Sequence, residues 1–353
     1  MTSNTVSFLR DGATAAFDNT LLELRLVNCS LASWQTELGK LSALTLLDLS
    51  HNAIQHIPAG ALRGVASTLK AFTLVRGKLT YLPEALADLT ALQDLDLREN
   101  AMMSTHDDVL GIGSSNLLSG SANSLRFLKL ASCGLVAVPR AVQGLTAIQV
   151  LDLSDNRIVT LNNYQFSSMS GLEELYLTGN PLSVVPYKTF AGLMSLTTLD
   201  MSNCRLTYIP SSALGEMPAL SQLDLSKNRI TVLLDNSFPT SPSLTTVDLS
   251  DNTITNFTDM AFNGAIGINT LKMNGCSLTF IPRSLRLAYA LRSVHLENNQ
   301  IQCSCQTLGW IKTWKKASGL IPHMFGTCAN NAGLSIDTYV SSLVGACEDI
   351  VGR

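Results

Sequence analysis

Apolar residues recur along this chain in one pattern, L-x-x-L-x-L-x-x-[N/C]-x-L, that fits twelve segments. Its ninth position falls at Cys29, Asn52, Gly77, Asn100, Cys133, Asn156, Asn180, Cys204, Asn228, Asn252, Cys276 and Asn299. The successive intervals are 23, 25, 23, 33, 23, 24, 24, 24, 24, 24 and 23 residues, apart from the fourth a nearly constant period of the kind that marks stacked supersecondary units. In "LTTLDMSNCRL" (196–206) the alternation sends Leu196, Leu199, Met201, Cys204 and Leu206 to one face of a short strand. Thr198, Asp200 and Ser202 go to the other. One such unit cannot bury its own leucines. Stacking twelve of them pairs the strands and makes one core, each buried Leu contributing roughly 1.5–3 kcal/mol before entropy is subtracted. The pattern therefore predicts an α/β solenoid: a horseshoe of about 12 repeats over 21–301, with a parallel concave β-sheet solvated on one face.

The ninth-position Asn leaves the strand at a turn, where its amide can donate to and accept from backbone groups of neighbouring coils. Cys is small and a weak S–H donor, so it fits the same slot, and Cys29, Cys133, Cys204 and Cys276 read as free, buried ladder residues. Gly77 has no amide to offer, so the third repeat is expected to be locally irregular. Pro58, Pro83, Pro139, Pro186, Pro210 and Pro282 stand at equivalent sites and remove backbone donors, which keeps the opposite side of the coil from forming a second regular sheet. The 33-residue interval contains "MMSTHDDVLGIGSSNLLSGSAN" (102–123), read as an insertion loop; His106-Asp107-Asp108 and Gly111-Ile112-Gly113 within it are too short to count as a metal or phosphate motif. Residues 1–20 read as a partial repeat or minimal N-terminal cap with Phe17 in the apolar plug position, and the chain as a fragment of something longer.

Long motifs recurring this often resemble the leucine-rich-repeat superfamily over residues 15 to 347. The segment "VVPYKTFAGLMSL" is similar to extracellular members, and "YLPEALADLTAL" to a type also common in intracellular ones. The four remaining cysteines, Cys303, Cys305, Cys328 and Cys347, admit a zinc site or two disulfides on spacing alone, and Cys-x-Cys is tight for zinc. Extracellular family members such as Toll-like and Slit-like receptors end in a cap built on Cys-x-Cys, a Trp-bearing helix and two further cysteines. The resemblance implies that 302–353 is such a cap, with Cys303 paired to Cys328 and Cys305 to Cys347. It also implies one helix carrying Leu308, Trp310, Ile311 and Trp314, with the tryptophans as a lid and Lys312, Lys315 and Lys316 toward solvent.

Composition narrows the function. Hydrophobic residues make up 46% and charged ones 14%, with net charge -3, which argues against disorder and against nucleic-acid binding by bulk charge. No apolar run is long enough to span a bilayer, so membrane contact is not expected within the chain, and any signal or membrane anchor would lie outside it. The five histidines are scattered and no nucleophile-elbow, P-loop or kinase motif occurs, so neither catalysis nor a cofactor is expected. Candidate partner-binding residues come from the solvent face of the strands. Asp200, Asp224 and Asp248 form a row of like charges with Asp152 in an earlier repeat, and Phe127, Lys129 and Tyr176 break that plain polar face. Strands lie roughly 4.8 Å apart, where two carboxylates in water repel by somewhat under about 1 kcal/mol. A basic partner would relieve this, as would hydrogen bonds from Ser202, Ser226 and Ser250. Asn28-Cys29-Ser30 and Asn256-Phe257-Thr258 are candidate glycosylation sites. The resulting expectation is a non-enzymatic domain that binds a protein or peptide on its concave face, secreted or at the cell surface as a receptor ectodomain. The alternative is a cytoplasmic scaffold for a signalling enzyme.

Overall fold

The computed structural model describes residues 7–102, 117–318, 321–331 and 333–347. The chain divides into two compact units, Met1–Asn180 with Thr189–Leu196, and Pro181–Lys188 with Thr197–Arg353.

Among the described residues the first unit holds seven strands: β1 (Glu23–Arg25), β2 (Leu46–Asp48), β3 (Ala71–Thr73), β4 (Asp94–Asp96), β5 (Phe127–Lys129), β6 (Val150–Asp152) and β7 (Glu174–Tyr176). Each pairs in parallel with the next, so Asp96, Lys129, Asp152 and Tyr176 stand abreast. The central residues Leu47, Phe72, Leu95, Leu128, Leu151 and Leu175 are fully buried, while most of the residues flanking them are partly open to solvent, which is the period of two that the sequence predicts. The second unit holds β8 (Thr198–Asp200), β9 (Gln222–Asp224), β10 (Val232–Leu233), β11 (Thr246–Asp248), β12 (Asn256–Phe257), β13 (Thr270–Lys272), β14 (Ser293–His295) and β15 (His323–Phe325). Its parallel sheet runs β8, β9, β11, β13, β14, β15.

The ninth-position ladder works as its chemistry predicts. Asn228 Oδ1 accepts from the backbone N–H of Cys204 and of Leu206, both at 2.9 Å. Its Nδ2 donates to Met201 O at 2.8 Å and Leu225 O at 2.9 Å. Asn52 repeats the arrangement on Cys29, Leu31, Leu26 and Leu49. The ladder cysteines are free and buried, and the thiols of Cys133 and Cys276 lie 3.2 and 3.1 Å from the carbonyls of Leu97 and Leu249. The third repeat is not irregular in its strand: β3 keeps register with β2 and β4, and Phe72, Leu74 and Leu79 are fully buried. A Cβ on Gly77 would stand 2.4 Å from Leu74 Cδ2 and 2.6 Å from Asn100 Oδ1, so those side chains occupy the space a ladder residue would need.

Behind the strands, the short repeats turn through 3-10 segments at Thr36–Lys40, Glu84–Asp88, Arg140–Gly144 and Arg283–Leu287, three of them entered from Pro83, Pro139 and Pro282. The longer repeats bury phenylalanine plugs, stacked as Phe166 on Phe190 in the first unit and Phe238 on Phe262 in the second. Pro210 precedes a four-residue helix, α1 (Ser211–Leu214). A two-stranded ladder, β10 with β12, forms on this side after all. It lies in two coils where Leu234 and Thr258 take the place of the proline, and the Thr258 N–H donates to Leu233 O at 3.0 Å, a bond that proline could not make.

Three expectations about the periphery change. Phe17 is 54% exposed rather than plugged, and the segment before β1 is held instead by Gln35 Oε1, which accepts from Leu9 N, and by buried Glu37, which accepts from Gly12 N. Most of the 102–123 insertion, including His106, Asp107, Asp108 and the glycine pair, lies outside the described residues. Its end belongs to the packed array, with Leu118 and Ser121 buried. The cap helix is two helices, α2 (Cys305–Leu308) and α3 (Ile311–Ser318), with Gly309 and Trp310 between them. Ser304 caps α2 by accepting from Thr307 N. A last helix, α4 (Ile336–Ala346), packs against β15.

Candidate functional site

Both implied disulfides are present, Cys303–Cys328 and Cys305–Cys347, with Cα separations of 5.5 and 5.7 Å. They close loops of 25 and 42 residues, each contributing roughly 3–4 kcal/mol in a chain-entropy account. Trp314 is buried and Trp310 stacks on it at 5.6 Å, itself half-buried. Lys312 does not face free solvent: its Nζ donates to the Cys347 carbonyl. The side chains of Lys315 and Lys316 lie outside the described residues.

On the outward sheet face of the first unit, Phe127 is 36% exposed beside Lys129. Lys129 is not free, since its Nζ lies 3.8 Å from Asp94 Oδ1. Burial pushes the Asp94 carboxyl up, and Lys129 opposes that shift. Asp96 is buried and held by Arg98 through Nε at 2.9 Å and Nη2 at 2.8 Å. Asp152 Oδ1 accepts from Ser154 N, and the Tyr176 hydroxyl donates to Glu174 Oε2 at 2.6 Å. The sequence candidates are therefore embedded among partners, Asp94, Arg98 and Glu174, that strand alternation alone did not single out.

On the second unit, Asp200, Asp224 and Asp248 stand abreast in register, as predicted. Each uses Oδ1 to accept the backbone N–H two residues on, from Ser202, Ser226 and Ser250, at 2.8, 2.8 and 2.9 Å. The Ser250 hydroxyl is turned to Asn274 N instead. Burial, with Asp200 and Asp248 on either side, raises the Asp224 pKa. Lys272 Nζ relieves one end of the row, 3.4 Å from Asp248 Oδ2. The row continues through His295 to Phe325, whose rings stack at 4.6 Å, with Phe325 45% exposed. Phe325 reaches this face because β15 of the cap adds a strand to the sheet. The only signal for it is "HMF", with Met324 buried between two exposed neighbours.

Asn256 is exposed on β12. Asn28 is also exposed, at φ 52°, beside fully buried Cys29. Among the described residues there is no group of three or more His, Cys, Asp or Glu side chains able to hold a metal ion, and no helix long and apolar enough to cross a membrane.

A leucine rich repeat family model matches residues 42–102, 123–182, 146–206 and 170–230, and a second leucine rich repeat model matches 240–256. No curated protein sequence matches the chain. Among solved structures, the chain is similar to one from the octameric complex of Latrophilin 3, Unc5D and FLRT2 (LRR), at 21% identity over 89% of this chain and 86% of that one, with TM-score 0.64. It is also similar to a chain of the Drosophila Toll–Spatzle complex, at 20% identity over 87% of this chain and 44% of that one, TM-score 0.61. A third, from the TLR13–ssRNA13 complex, is 19% identical over 94% of this chain and 54% of that one, TM-score 0.53. At such identities the likeness is one of fold.

Proposed function

The chain belongs to the leucine-rich-repeat family, and on that premise we propose that it is a non-enzymatic recognition domain. It binds a protein or peptide on the outward face of its sheets and works outside the cell, secreted or as a receptor ectodomain. The observation that carries this reading is the contrast between an invariant backbone and changing side chains. Behind each strand the ladder and core repeat from coil to coil. In front, the same positions read Asp96, Lys129, Asp152 and Tyr176 in one unit and Asp200, Asp224, Asp248, Lys272, His295 and Phe325 in the other. A regular frame that presents irregular chemistry suits readout of a macromolecular surface. Exposed Phe127 and Phe325 offer apolar anchors, Tyr176 a polar-tipped one, and the carboxylates offer contacts to basic side chains. The row of carboxylates disfavours a phosphate backbone, so protein is the preferred class over nucleic acid. Two disulfides in the cap support an oxidising compartment.

Thiol titration of denatured, unreduced protein tests the location: four reactive thiols of eight are expected, and eight would remove the extracellular reading. Capture of binding partners from extracellular fluid by the whole chain tests the surface. Phe127→Ala with Tyr176→Ala, and Asp224→Asn with Phe325→Ala, are expected to weaken capture at least tenfold in one pair or the other. Undiminished capture by both pairs would remove this face from consideration.

A further inference from the structure

We propose that Asn256, and not Asn28, carries an N-linked glycan, and that its first sugar lies in the aromatic groove where the last repeats meet the cap. This inference rests on the extracellular reading above. The groove measures about 350 Å³ and is lined by Phe257, Phe280, Trp310, Asp259, Arg283 and Ser284 among others. That volume is at the small end of the range for ligand sites. Phe257 and Phe280 meet edge to face, 6.1 Å between centroids and 76° apart, so they present two perpendicular walls. Trp310 is fixed as a third by donation from Nε1 to Thr307 O and by its stack on Trp314. Phe280 remains 40% exposed, and the buried Ser284 hydroxyl has no hydrogen-bond partner among the described residues.

The occupant is identified by what stands beside the groove. Asn256, Phe257 and Thr258 form the acceptor triplet, and Phe257 and Thr258 themselves line the groove. Strand β12 alternates, so Phe257 turns toward the core while Asn256 turns out. Pairing with β10 holds the backbone, and among the described residues the Asn256 side-chain amide makes a 3.4 Å contact to Thr255 Oγ1. Phe280 occupies the position equivalent to Asn256 one 24-residue coil further on, and is exposed like it. A sugar on Asn256 Nδ2 therefore starts on the side of the coils that carries the Phe280 ring. N-acetylglucosamine has a face of C–H bonds that suits the negative face of an aromatic ring, and hydroxyls at its rim within the reach of Asp259 and Arg283. In the modification, Nδ2 loses a proton and bonds the anomeric carbon of an oligosaccharide, and the lipid-linked diphosphate that carried the oligosaccharide departs. Asn28 offers no such setting. Although exposed, it stands on a left-handed backbone followed by another at Ser30 and is not among the residues that line the groove.

Secretory expression of the whole chain in a eukaryotic host, followed by peptide mass spectrometry, tests the site. Asn256 is expected to be modified in most molecules and Asn28 unmodified; Asn256→Gln abolishes the N-glycosidase-sensitive mass. In the glycoprotein, the N-acetyl methyl proton signal is expected to shift upfield by ring currents, and Phe280→Ala to reverse that shift. A folded, disulfide-bonded secreted chain without sugar at Asn256 overturns this proposal and spares the extracellular reading. So does a methyl signal indifferent to Phe280→Ala. A chain that cannot be secreted with its disulfides formed overturns both.

Discussion

At the scale of single residues, the ladder asparagines carry more than their size suggests. Asn228 alone meets two buried N–H groups and two carbonyls. Asn228→Ala takes their partner from both N–H groups and from Met201 O, while Leu225 O keeps its bond from Asn252 Nδ2; at roughly 1–3 kcal/mol for a buried unsatisfied group the expected loss is about 3 kcal/mol or more, measurable by urea unfolding. The cysteines in the same slot behave differently. Burial pushes the Cys133 and Cys276 thiols up to about 11. Native protein at pH 8 is therefore expected to leave both unlabelled by iodoacetamide. Because their pKa is raised in the folded state, unfolded chains release protons first, and stability is expected to fall as pH rises from about 9 to about 11. A pH series of melting temperatures that stays flat across that window would contradict the assignment. Most of this was legible in the sequence, since a small polar or thiol residue at a fixed turn has one obvious use. What Gly77 does was not, because only packing reveals that Leu74 and Asn100 already fill the space an amide would take.

At the scale of elements, strands read from a period of two were found where they were expected, and short irregular pieces were not. Three residues of alternation at "HMF" are too few to rise above chance, so β15 and the place it gives Phe325 on the outward face came from structure alone. The proline column behind the strands proved informative where it is interrupted. Thr258→Pro restores the common residue, yet is expected to cost about 1–3 kcal/mol, because it deletes the Thr258 N–H bond to Leu233 O and the β10–β12 pair. Hydrogen exchange at Asn256, whose N–H donates to Thr231 O in the same pair, would report the loss, and a variant as stable as the parent would show that the small ladder contributes little.

At the scale of the whole molecule, repetition made the fold legible and the function only partly so. Eleven of twelve ninth positions announce the solenoid. The outward side chains are not periodic, and which of them matter depends on partners such as Asp94 for Lys129 and Glu174 for Tyr176 that only the pairing of strands reveals. The ladder also has a direction, and its consequence reaches beyond stability. Each asparagine belongs to one coil and serves the strand before it: Asn228 serves Cys204 and Leu206, and Asn252 serves Ile230 in the same way. Excising residues 205–228 as a block removes one asparagine together with the coil it closes, and brings Arg229 and Ile230 to the place of Arg205 and Leu206, where Asn252 can serve them. A 24-residue deletion is thus expected to yield folded protein with the cooperative melting of the parent, while the single change Asn228→Ala does not. Array length is a quantity that inheritance can alter by whole coils at small cost, so new binding surfaces arise by recombination between coils more readily than by altering the turns that join them.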